Sequence, residues 1–149
     1  MTREKFIKVL DEKAFSYEME GDKLVVTDKE WDVGLEKLKT LPPGVVFKNA
    51  SGVFLDSLTS LPPGVVFGNG GSVYLNALTS IPPGVELNNG DAVYLRSLTS
   101  LPPGMEFRNK GRVHLESLTG EWFDYWEGNI EDIDNKRLLN FMISKEMFI

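Results

Sequence analysis

The chain of 149 residues contains no cysteine and a single histidine, His114. The first absence excludes disulfides, thiolate nucleophiles and thiolate metal sites together, and it is compatible with a cytoplasmic setting. The second leaves nothing for nucleophile–base pairs to be built from, because the serines at 57, 60, 80, 97, 100 and 117 are repeat positions with one imidazole among them. No apolar run approaches the roughly 18 residues of a membrane span, and the N-terminus lacks a signal-peptide pattern, so no membrane association is expected. Neither a P-loop nor a dinucleotide fingerprint is present. Basic charge is also scarce: 16 Lys and Arg stand against 22 Asp and Glu, a net charge of −6. Phosphate recognition needs clustered bases, so direct nucleic-acid binding is not expected, and no cofactor is implied.

What the chain does have is a repeat. Leu41 to Ser60 reads LPPGVVFKNASGVFLDSLTS, and blocks beginning at Leu61, Ile81 and Leu101 follow it in register without insertion. A fixed short period marks a solenoid, in which each coil buries its apolar side by stacking on its neighbours. Pushed backwards, the register makes Gly21 to Thr40 a degenerate first coil with Val25, Val33, Leu35 and Leu38 at the apolar positions. The fold class expected is therefore mainly β: a parallel β-solenoid of about five 20-residue coils, residues 21–120, capped by an N-terminal helix and a C-terminal helix.

Each coil carries two turn signals. Pro-Pro-Gly at 42–44 suits a type II turn, with Pro43 fixing φ and Gly44 taking φ > 0. The second corner is an asparagine close to glycine, at Asn49, Asn69, Asn89 and Asn109. Between the corners, short stretches such as Val45-Val46-Phe47 and Val53-Phe54-Leu55 alternate with the period of a strand. Six columns point inward, among them an all-valine column from Val33 to Val113 and an all-leucine column from Leu35 to Leu115.

Length makes this one domain, 1–149, with residues 1–20 as the N-terminal cap and 121–149 as an aromatic and helical C-terminal cap. Phe6, Ile7, Leu10 and Ala14 have helical spacing behind Thr2 as N-cap, and Phe15, Tyr17 and Met19 alternate as a strand leading into the first coil. At the far end Asp134 can cap a helix over Asn135 to Ser144. Charge is uneven: residues 1–32 sum to −3, 33–120 to +1 and 121–149 to −4.

The stretch Val-Tyr-Leu-x-x-Leu-Thr-Ser-Leu-Pro-Pro-Gly partly resembles bacterial short leucine-rich repeats, which share L-x-x-L-T-S-L-P. Val45 and Phe47 depart from them by adding a second strand-like segment. The chain looks more like LTSLP-repeat β-solenoid proteins of phage and bacterial genomes. Gly128, Asn129, Ile130, Ile133, Asp134, Arg137, Leu138, Leu139, Asn140, Met142 and Ile143 carry the C-terminal part of that likeness. The resemblance implies no catalytic residues. It implies a mobile-element setting, in the host-cell cytoplasm, where small acidic proteins often inhibit host machinery.

Outward columns are where a site would lie. Phe54, Tyr74, Tyr94 and His114 form one aromatic residue per coil on one face. They read either as a ladder stabilising strand pairing or as a binding stripe. Beside it, Glu36, Asp56, Asn76, Arg96 and Glu116 mix signs as a solvated face does. Val46, Val66, Glu86 and Glu106 place two carboxylates together, too few oxygens for a hard-metal cage and with Arg108 near enough to neutralise them. The asparagines read as stacked amides bonding along the axis, and Thr59, Thr79, Thr99 and Thr119 as a corner ladder. Trp122, Asp124, Trp126 and Glu127, inside an alternation of aromatics and acids, read either as a lid on the last coil or as a docking surface for a basic groove. The expected function is thus non-enzymatic: a protein-binding module on a rigid repeat frame, an inhibitor of a host protein with a basic surface. A structural or self-assembling, homo-oligomeric solenoid, for instance a homodimer, is the alternative.

Overall fold

The computed structural model describes residues 1–102, 105–115 and 117, together with the backbone of 122 and 123. It opens with helix α1 (Arg3–Glu12) and hairpin strands β1 (Tyr17–Glu20) and β2 (Lys23–Val26). Short strands follow: β3 (Val33–Gly34); one pair in each of the next three coils, β4 (Val45–Phe47) and β5 (Val53–Phe54), β6 (Val66–Phe67) and β7 (Val73–Tyr74), β8 (Glu86–Leu87) and β9 (Val93–Tyr94); then β10 (Val113–His114) and β11 (Trp122–Phe123).

These strands make two walls. The first runs β1-β2-β4-β6-β8 and is continued by a parallel bridge between Leu87 and Phe107; the second runs β11-β10-β9-β7-β5-β3. All pairings between coils are parallel and keep a 20-residue step in the second wall, from Val33↔Val53 through Val73↔Val93 to Val93↔Val113. The protein is a parallel β-solenoid. Four full turns take the chain from Val33 to Val113, so the second wall has five parallel levels. The period-2 alternation is realised as read: Val53, Leu55, Val73, Leu75, Val93 and Leu95 are fully buried, and Phe47 stacks on Phe67 inside at 5.2 Å. Gly44, Gly64 and Gly84 take φ between 80 and 83°, the left-handed conformation the Pro-Pro-Gly corner requires.

One coil departs from the sequence register. The pairing is Leu24↔Val45, Val25↔Val46 and Val26↔Phe47, so Leu24, and not Val25, heads the inward column. The cause is one extra residue at the first corner: residues 27–32 join β2 to β3, whereas 48–52 join β4 to β5. Because side chains alternate, counting back by twenty moves the whole of β2 to the wrong face.

The N-terminal helix is present, with the Thr2 side chain accepting from the Lys5 amide at 3.2 Å and with Phe6 and Leu10 buried in the solenoid's apolar cluster. Tyr17–Glu20 does not simply lead into the first coil. It folds back antiparallel on β2 through a two-residue turn in which Gly21 takes φ 63°, and so covers the free edge of the first wall. At the other end β11 pairs antiparallel with β10, covering the second wall there. The C-terminal helix expected over Asn135 to Ser144 lies outside the described residues. No helix among the described residues is long and apolar enough to cross a membrane.

Candidate functional site

The outward column of the second wall is the most ordered surface feature. Strand pairing sets Phe54, Tyr74, Tyr94 and His114 on successive levels, and their rings stack nearly parallel, with interplanar angles of 7, 4 and 10°. The centroid separations are 4.4, 4.5 and 4.3 Å. Paired strands lie roughly 4.7–4.9 Å apart, so the rings lean together more closely than the backbone alone imposes. Phe54, Tyr74 and Tyr94 are half-buried and keep an outer edge in solvent, whereas His114 is only 9% exposed. Burial, and then the neighbouring Tyr94, raise the Tyr74 phenol above its usual value, so the Tyr74 ring stays uncharged at neutral pH. The Arg96 guanidinium sits 5.2 Å from the Tyr94 ring centroid, in cation–π range.

Of the other residues singled out, Trp122 lies opposite His114 in the register of β11 and β10. Asp124, Trp126 and Glu127 lie outside the described residues.

Of the carboxylate column, Glu106 is already engaged. Arg108 donates from Nε at 2.8 Å and Nη2 at 2.5 Å to one oxygen of Glu106, and both side chains are exposed. A solvent-open hollow of about 270 Å³ beside them is lined by Glu86, Glu106, Arg108, Met105 and prolines. Among the described residues no three His, Asp or Glu side chains converge as metal ligands.

The asparagine column is structural, though not as an amide-to-amide ladder. Each Nδ2 is spent on backbone carbonyls: Asn69 donates to Ser51 of the previous coil at 3.0 Å and to Gly71 and Ser72 of its own corner at 3.2 and 3.3 Å. Asn89 and Asn109 repeat the pattern. The four Oδ1 atoms are buried without a protein donor, a milder fault than an orphaned N–H because an acceptor oxygen is less often obligatory. The threonine corner does bond along the axis, with Thr99 donating from N and Oγ1 to the Thr79 carbonyl, each at 3.0 Å.

Three features escaped the sequence reading. Asp28 is the first member of the asparagine column: its carbonyl accepts from Ala50, as Asn49, Asn69 and Asn89 accept from the next coil. Its side chain reverses the polarity, accepting from the amides of Ser16, Glu30 and Trp31 at 3.1 Å. Burial pushes its pKa up, but those three donors outweigh burial and hold it below the ordinary value. The step of 21 residues from Asp28 to Asn49 was the available signal. Second, the mixed-charge face beside the aromatics contains an axial ladder, in which Asp56 and Asn76 accept from the backbone amides of Asn76 and Arg96 at 3.0 and 3.2 Å. Third, Asp32 ties the first corner to the second, accepting from Ser51 Oγ at 2.5 Å and the Gly52 amide at 2.7 Å, bonds that lower its pKa.

The chain matches no protein-family model, no curated protein and no solved structure.

Proposed function

We propose that this protein is a non-enzymatic binding module that presents its aromatic ladder and its acidic C-terminal stretch to a protein partner with a basic surface. The observation that carries the reading is the ladder itself: three half-exposed rings held in line by a frame whose every level is cross-bonded. Aromatic side chains with few rotatable bonds supply contact area at small entropic cost, and here stacking has already fixed their rotamers. Two acidic ends around a nearly neutral body favour and steer a basic partner. In a phage-type setting such a partner would be a host protein, and occupying its basic groove would inhibit it.

Affinity capture from host lysate, with the parent chain beside a Tyr74→Ser/Tyr94→Ser variant and a charge-reversed Glu121/Asp124/Glu127 variant, tests the proposal. A protein retained at low salt, released at high salt and lost with the ring variant supports it. If nothing separates the parent from the ring variant, the ladder is not a binding face. Retention unchanged by charge reversal removes the C-terminal acids from the surface.

Among the described residues β3 is the edge strand of the second wall, which favours a second reading, self-association, since an edge strand is a template for pairing. Concentration-dependent light scattering from the pure protein, abolished by substitution at that edge, is its signature.

A further inference from the structure

The aromatic ladder has five levels and four rings. Its first level, in register with Phe54, is Gly34. Phe54 stacks against Tyr74 on one face, and at the level of its other face there is no side chain belonging to the column. The backbone does not demand this glycine: its φ is not in the left-handed region, and the three atoms nearest a Cβ built there all belong to the end of the Glu36 side chain, which is free to move. The carboxylate of Glu36 occupies the root of the missing rung, with its oxygens 2.8 and 3.1 Å from that Cβ position. Glu36 is exposed and has no ion pair among the described residues. Beyond Gly34 the wall ends, because β3 is its edge strand, and Trp31, 67% exposed, stands at the corner just before it.

The fourth level holds an arginine beside a filled rung, whose ring is stacked on Tyr74 and on His114. There Arg96, two residues after Tyr94 as Glu36 is two after Gly34, lays its guanidinium 5.2 Å from the Tyr94 ring centroid. An arginine thus already finds this ladder from within the chain. At the first level the relation is inverted: the ring is missing, the acid is in place, and the next ring lies one level in.

We propose that the vacant rung at Gly34 is a receptor for one arginine side chain of the partner protein, its guanidinium seated over Phe54 and paired with Glu36. A planar, weakly hydrated cation fits such a gap and an adjoining carboxylate, whereas the compact, strongly hydrated ammonium of lysine gains less from the ring. A second copy of this chain is disfavoured as the source, because residues 1–32 sum to −3 and would bring acid against acid. The inference rests on reading the ladder face as a binding surface, and it places the partner's anchoring residue at the N-terminal end of that face.

The test is an NMR titration of the full chain with N-acetyl-arginine methylamide, beside the lysine analogue. The expected result is saturable shifts at the Gly34 amide and the Phe54 ring, with lysine about two- to fivefold weaker. Gly34→Phe should keep the fold, extend the ladder and abolish the shifts. Glu36→Gln should weaken binding about threefold, the size of an exposed ion pair. Equal, diffuse shifts from both analogues, or binding unchanged by Gly34→Phe, would overturn the proposal. Arginine shifts confined to the Tyr74 and Tyr94 rings would overturn this slot while sparing the ladder as a binding face. No response at the rung or the rings would count against both.

Discussion

Exchanging the polar residue of the corner column between levels inverts the local chemistry, which makes the effect calculable. Asn69 is 1% exposed and gives both of its amide protons to three carbonyls, those of Ser51, Gly71 and Ser72. Asn69→Asp replaces that donor with an oxygen facing those carbonyl dipoles and out of reach of water. A carboxyl buried in this way has its pKa raised by up to about 3–5 units. A rise of about 3 units corresponds to roughly 4 kcal/mol at pH 7, a large share of a small domain's stability. The sign follows from the acid being neutral when protonated. Below the unfolded value of about 3.9 the penalty is absent, apart from about 1 kcal/mol for a lost hydrogen bond. It grows as pH rises and levels off above the folded pKa.

Asp28 carries the reciprocal case. Three backbone amides surround its carboxylate and hold its pKa down, so its contribution is present above about pH 4 and lost as pH falls through the folded value. Asp28→Asn would turn an NH₂ toward at least one of those donors, at about 1–3 kcal/mol, and would flatten the acid side of the stability profile. Urea unfolding of the parent and both variants at pH 4 and pH 7 measures all of this. Should Asn69→Asp have the same midpoint difference from the parent at both pH values, the amide is not donating into that corner and the reasoning fails.

Other positions test separate parts of the frame. Leu75→Ala, fully buried in the central coil, should cost about 2–5 kcal/mol in denaturant unfolding. Gly64→Ala meets no atom within 4 Å yet forces an L-residue to φ 83°, so a loss of about 1–2 kcal/mol should arise from backbone strain alone. Tyr74→Ser removes two ring contacts and should lower stability by about 1–3 kcal/mol, with coupling to Tyr94 visible in a double-mutant cycle.

The architecture was legible because repetition amplifies a weak signal. Val53 alone says little, but valine at five positions spaced 20 residues apart leaves one stacking arrangement. The Pro-Pro-Gly corner was legible for a local reason, since few residues other than glycine accept its φ. Reading failed where the period changed. The extra residue between Val26 and Val33 displaced β2 by one position and hid Asp28, which has the same place as the asparagines and the opposite hydrogen-bond polarity. The partners of Asp56 and Asn76 could not be read either, because a side chain reaching the next coil's amide depends on the rise between coils and not on the residue type. The aromatic column was visible as four residues, but the closeness of its stacking and the empty fifth place at Gly34 required the register of β3.

The most direct measurement of the account is a NOESY spectrum resolving ring protons of Phe54, Tyr74, Tyr94 and His114. Coils stacked at a 20-residue step predict contacts from each ring to the next in that order, with the middle two rings shifted by neighbours on both faces. Rings that contact only residues of their own coil, or partners displaced by one position in the neighbouring coil, would contradict the ladder and the solenoid register that builds it.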